Sequence, residues 1–157
     1  MIKRTGRLLL PLLLATLFMA GCGRRGSDLD TQFVEGIVKL DGTPIEGVTL
    51  RFIPKNPEVG EEAGGISDAG GSYRLSSLRG DPGKGALEGE YIVLASKSEV
   101  VELPQPRLNR ETGDYVTSEL KPIIPAVYQD AAKTKLTKTV VRGKNKIDIE
   151  LESSPSF

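Results

Sequence analysis

One cysteine and no histidine stand among the 157 residues, and these two facts bound the chemistry. Without histidine, a serine or cysteine nucleophile has no imidazole base to activate it, and the commonest zinc ligand is missing. What remains is a set of carboxylates, four tyrosines and one glycine-rich run. Asp41, Asp68 and Asp81 fall near turns, where oxygen ligands for calcium would gather. Their spacing lacks the one-three-five rhythm of a calcium loop, and Asp at a turn is expected for backbone reasons. Glu58, Glu61 and Glu62 share a polar segment and read as a solvated charge cluster. Glycoside chemistry needs two carboxyls about 5 to 10 Å apart across a cleft, which linear spacing does not specify. The run Gly80-Asp81-Pro82-Gly83-Lys84-Gly85 fails as a phosphate loop. Its spacing before the lysine is too short, and Gly85 offers no hydroxyl to Mg²⁺. Tyr73, Tyr91, Tyr115 and Tyr128 would be the material of a sugar platform. Tyr73 and Tyr91 instead take inward strand positions, and only Tyr115 is placed to meet a partner. The sequence therefore assigns no catalytic residue, metal site or cofactor, and leaves ligand-binding residues open.

The lone cysteine has a different chemistry in view. Lys3, Arg4 and Arg7 precede an apolar run over residues 8–19, then the small residues Ala20 and Gly21, then Cys22. These are the zones of an export signal, and the run is too short for a span, which takes about 20 apolar residues. Met19-Ala20-Gly21-Cys22 resembles the bacterial lipobox, with Met in the place more often held by Leu. That resemblance implies cleavage before Cys22 and a diacylglyceryl group on its thiol. An odd free thiol in an oxidising compartment would be a liability. Two or more acyl chains there would hold the chain to a membrane stably, where one holds only marginally. Gly23 is not Asp, which by resemblance to sorting rules in Gram-negative bacteria favours the outer membrane. Removing residues 1–21 leaves 18 basic against 21 acidic residues, a net charge of −3. Phosphate binding needs a concentrated basic face, so no nucleic-acid partner is expected. With one cysteine no intrachain disulfide is possible, and the core must hold the fold unaided.

The elements behind the anchor read as strands. Residues 22–32 form a polar tether in which Arg24 and Arg25 are solvated linker charges. From Phe33 the pattern alternates with a period of two. Val34, Gly36, Val38 and Leu40 share one face. After the turn Asp41-Gly42-Thr43-Pro44, whose Asp-Gly favours positive backbone angles, Val48, Leu50 and Phe52 share another. A short hairpin about residues 68–71 is predicted to bury Tyr73 and Leu75. Residues 90–97 point Tyr91, Val93 and Ala95 inward, and Ile92 and Leu94 make the other face apolar too, so that strand should be central or covered. Residues 136–142 and 146–152 complete about seven short strands, a count that favours an antiparallel β-sandwich over residues 33–152. Residues 98–134, with Pro104, Pro106, Pro122 and Pro125, break the rhythm and are expected as a long loop. Its apolar end, Ile123, Ile124, Val127 and Tyr128, should pack back on the body. A tail of residues 153–157 follows.

Four stretches carry a wider resemblance: VEGIVKLDGTPIEGVTLRFIP (34–54), GGISDAGGSYRL (64–75), GEYIVLASK (89–97) and IIPAVYQDAAKTKLTKTVVRGKNKIDIEL (123–151). Together they resemble the small lipoproteins of planctomycete-type bacteria, which carry a transthyretin-like, carboxypeptidase-regulatory-like β-sandwich. The resemblance implies a non-catalytic module that supports, binds or adheres at the cell envelope. It supplies no site motif to transfer. The enzymatic branch of the transthyretin-like fold, the hydroxyisourate hydrolases, needs histidines and a C-terminal Tyr-Arg-Gly-Ser, whereas this chain ends Ser153-Ser154-Pro155-Ser156-Phe157. The expected partners are the membrane, through the anchor, and an envelope protein or glycan. The alternative is a lipoprotein that binds a small molecule or carbohydrate in a pocket under residues 98–130.

Overall fold

A computed structural model describes residues 30–78 and 85–155. Twelve strands run through them: β1 (Phe33–Leu40), β2 (Thr43–Pro44), β3 (Thr49–Pro54), β4 (Ala63–Ile66), β5 (Ser72–Arg74), β6 (Ser76–Ser77), β7 (Gly89–Ser96), β8 (Ser98–Leu108), β9 (Tyr115–Pro122), β10 (Thr137–Val140), β11 (Lys144–Lys146) and β12 (Ile149–Leu151). A single 3-10 turn, Ala126–Gln129, is the one helical element among the described residues. The all-β expectation holds. The count exceeds seven because the expected strands over 72–77 and 146–152 are each divided, a short β2 forms in the turn after β1, and β8 and β9 form where a loop was expected.

Two five-stranded sheets share one core. The first is built on β1, flanked by β5 and β2 on one side and by β11 and β12 on the other. The second runs β10-β7-β3-β4-β6. Val34, Val38, Tyr73, Ile149 and Leu151 from the first meet Leu50, Phe52, Tyr91, Val93 and Val140 from the second in one apolar cluster. Phe52 lies 6.3 Å from Tyr73 and 6.0 Å from Tyr91, ring centre to ring centre. Each ring is tilted on its neighbour, an arrangement aromatic quadrupoles favour.

The chain changes sheet where turns were expected to close hairpins. Asp41 and Gly42 have φ of 50° and 80° and make a tight turn, but only β2 folds back on β1. At Gly47 (φ 69°) the chain crosses, and β3 joins the other sheet. The segment around residues 68–71 does the same, since β4 pairs with β3 and β6 while β5 pairs with β1. The last two expected strands also fall in different sheets: β10 lies on β7, and β11 and β12 lie on β1. These last two pairings are parallel, a correction to the purely antiparallel expectation. They keep one register, with Phe33 opposite Lys144 and Val38 opposite Ile149, so β11 and β12 are one interrupted strand. β7 sits between β3 and β10, central as its two apolar faces required.

Residues 98–134 are not a loop. β8 and β9 form a two-stranded antiparallel arm, and among the described residues neither pairs with any other strand. A bulge over residues 103–106 interrupts it between Glu102 and Arg107. The tip, residues 109–114, closes on Asn109, whose N–H donates to the Asp114 carbonyl and whose Oδ1 accepts from the Glu111 N–H. At the base, Ile123 and Ile124 donate backbone N–H to the Lys97 carbonyl. Ile124 and Tyr128 are buried in the core, so the apolar end packs back as expected. The body starts one residue earlier than Phe33: Gln32 is buried, bridges Ala86, and accepts the Gly143 N–H on its side-chain oxygen at 2.7 Å.

Candidate functional site

Buried polar groups in the body are committed to holding strands together. Gly36 stands where β1 meets the break between β11 and β12. A Cβ there would lie 1.9 Å from the Ile147 carbonyl oxygen, so only glycine lets the two backbones approach. Tyr73 on β5 crosses beneath β1 and donates its hydroxyl hydrogen to that same carbonyl at 2.6 Å. Burial pushes its phenol up, with the Asp148 carboxylate adding in the same direction. Asp148 accepts the Ile37 N–H, replacing the ladder bond that the break removes. Tyr91 gives its hydroxyl hydrogen to the Leu87 carbonyl, and burial raises its phenol too. Both tyrosines are therefore architectural, as their inward positions implied. Among the described residues no fully buried side-chain N or O lacks a hydrogen-bond partner, so none is left aimed into space for a ligand.

The turn carboxylates are used in the same way. The Asp41 oxygen accepts the Ser153 N–H, which holds its carboxyl below the ordinary range. Asp68 accepts from both Gly70 and Ser72. Asp81 and the run from Gly80 to Lys84 lie outside the described residues, as do Cys22, Gly23, Arg24 and Arg25. No group of three or more His, Cys, Asp or Glu side chains with metal-binding geometry occurs among the described residues.

Glu61 and Glu62 differ from the solvated cluster the sequence suggests. Both are half-buried. Glu61 accepts the Ser77 hydroxyl hydrogen, and Glu62 is paired with Arg51. Both line an open depression of about 390 Å³ with Ile53, Pro54, Pro57, Gly60 and Leu78. Glu58 is exposed. A second open depression, about 350 Å³, lies over Glu35, Asp68 and Arg74. Near the segment expected to roof a pocket, Gln129 with Thr49, Arg51, Leu94 and Ser96 bounds about 160 Å³. Small-molecule sites typically enclose about 300 to 1,000 Å³. No residue of β8 or β9 lines any of these three.

The arm is the other candidate surface. Val100 and Leu120 are cross-strand partners that are 69 % and 72 % exposed. Leu108 and Tyr115 face each other at the distal end, with Tyr115 71 % exposed, so Tyr115 is available as its position in the sequence suggested. Arg107 and Glu119 form an ion pair at 3.8 Å. Sequence reasoning missed Val100, Leu108 and Leu120 because it treated their segment as irregular. The one trace left in the sequence is the turn residues Asn109 and Gly113 between two runs without regular alternation.

No family model matches the sequence, and no curated protein matches it. Among solved structures, the chain is similar to a 9R-lipoxygenase from Cyanothece PCC8801 at 11 % identity and a TM-score of 0.37, over 78 % of this chain and 16 % of that one. The match spans about a sixth of the lipoxygenase's length, and a likeness this distant carries no argument about fold or activity.

Proposed function

We propose that the protein is a non-catalytic cell-envelope lipoprotein, anchored through Cys22, whose β-domain acts as a binding, adhesion or scaffolding module. The observation that carries the reading is the arm. Its two strands pair, among the described residues, with nothing but each other, and it exposes Val100, Leu108, Tyr115 and Leu120 to solvent. Large apolar side chains paired on an exposed surface, Val100 with Leu120 and Leu108 with Tyr115, mark interaction sites. Of the polar groups that had been candidates for chemistry, Asp41, Asp68 and Tyr73 are bonded to the backbone, Glu61 to Ser77 and Glu62 to Arg51. The two sheets around one core support a sandwich of the transthyretin-like kind that the sequence resembles. The order of charged, apolar and small residues before Cys22 supports lipidation, and Gly23 supports the outer membrane. No helix among the described residues is long and apolar enough to cross a membrane. An envelope protein is the favoured partner and a glycan the second. A small-molecule pocket under residues 98–130 is the less favoured alternative, since the space beside Gln129 is small.

In-cell crosslinking of the tagged full-length chain, followed by mass spectrometry, tests the reading beside a control lacking residues 105–119. One or two envelope proteins captured by the intact chain and lost from the control are expected. An identical capture profile from both chains would remove the arm as the binding surface.

A further inference from the structure

We infer that the free edge of β9 is a self-pairing surface, and that the partner it fits is β9 of a second copy of this chain, joined antiparallel about Ser118. The inference rests on the reading of the arm as the interaction surface and names its occupant. Edge strands invite pairing because they carry a row of unpaired N–H and C=O groups, and proteins usually blunt them with short length, proline or bulges. The outer strands of the two body sheets follow that rule, since β2, β5, β6, β10, β11 and β12 are two to four residues long. The free edge of β8 is blunted as well, by Pro104, Pro106 and the bulge they sit in. β9 is protected only by the charges of Glu119 and Lys121. It has eight residues and no proline before Pro122, and among the described residues it pairs with β8 alone.

The sequence of β9 is complementary to itself in one register. With Ser118 opposite Ser118 of the second copy, Val116 meets Leu120, Thr117 meets Glu119, and Tyr115 meets Lys121. The rows then continue across all four strands, because Leu120 already lies beside Val100, Lys121 beside Glu99, and Ser118 beside Glu102. One row becomes Val100, Leu120 and the second copy's Val116 and Arg107, which extends the exposed apolar pair of the arm onto the second copy. On the opposite face Lys121 is set between Glu99 and the second copy's Tyr115, whose ring attracts a cation. No like charges stand directly opposite. Centring the pair on Glu119 instead would set two carboxylates against each other, which is destabilising in a sheet. Two copies tethered to one membrane would also meet at a raised effective concentration, which suits a contact seven residues long.

Cysteine trapping in the full-length protein tests this. Opposed residues of an antiparallel pair have Cα atoms about 4.5 to 5.5 Å apart, within the range a disulfide spans. Under mild oxidation Ser118→Cys should yield a disulfide-linked homodimer. Lys121→Cys, whose two copies would lie about 20 Å apart along the strands, should not, nor should the wild-type chain, whose only thiol is at Cys22. Adding Leu120→Lys to Ser118→Cys should lower the dimer yield about tenfold, because both symmetry-related apolar pairs are lost. Equal trapping at positions 118 and 121, or none at 118, would overturn the pairing. If Ser118→Cys were instead trapped to a different protein, self-pairing would fall while the arm stood as a binding surface. Trapping to nothing, with crosslinking unchanged on deleting residues 105–119, would remove both.

Discussion

Gly36 and Asp41 show how much of this fold rests on single residues at breaks in the strands. Gly36 faces the Ile147 carbonyl, which also receives the Tyr73 hydroxyl. Gly36→Ala would drive a methyl group into backbone that cannot rotate aside, so β1 and the strand beside it must part. We expect a loss of about 3 kcal/mol, at the upper end for overpacking, read as a lower urea midpoint. At Asp41 the effect is electrostatic. The Ser153 N–H holds its carboxyl below the ordinary value. Its contribution is therefore complete above about pH 4 and is lost as pH falls through the depressed folded value. Asp41→Asn, which also tolerates the positive φ of 50°, should flatten the fall in melting temperature below about pH 4. An unchanged slope would show that other carboxylates carry the acid response.

At the scale of elements, the body strands were legible and the arm was not, for one physical reason. A strand with one buried face writes its position into the sequence as alternation, and β1, β3 and β7 do so through Val34 and Val38, Leu50 and Phe52, Tyr91 and Val93, all fully buried. The arm has two solvated faces, so Val100 and Val101 stand side by side with nothing to select between them. Its prolines read as breakers, yet on an unpaired edge they remove no needed hydrogen bond. The bulge over residues 103–106 then erased what alternation was left. Because the arm buries so little against the body, replacing residues 99–121 by a short turn should leave the melting temperature within about 4 °C, the shift that about 1 kcal/mol produces in a domain of this size. A larger fall by calorimetry would mean that the arm braces the body.

For the molecule as a whole, the proposed anchor at Cys22 is the reading most directly testable. Cys22→Ser should leave the precursor uncleaved and unlabelled by a palmitate analogue, with the membrane-bound fraction falling at least tenfold, as the loss of two acyl chains requires. Labelling that persisted would end the lipoprotein reading. By itself the sequence determined the all-β class, the inward residues of the main strands, the architectural use of Tyr73 and Tyr91, and the exposure of Tyr115. Each of these follows from local rules of alternation and turn chemistry. Only the tertiary structure decided which strands share a sheet. Asp41-Gly42 and residues 68–71 are turns in either case, and whether the chain then pairs or crosses depends on core contacts more than thirty residues away. The same holds for the parallel register of β1 with β11 and β12, which needs Gly36, Tyr73 and Asp148 to meet at one break. It holds for Glu61 and Glu62, whose partners Ser77 and Arg51 lie on other strands. Side chains that find their partners on neighbouring strands distant in sequence leave no periodic trace, and that is where its legibility ended.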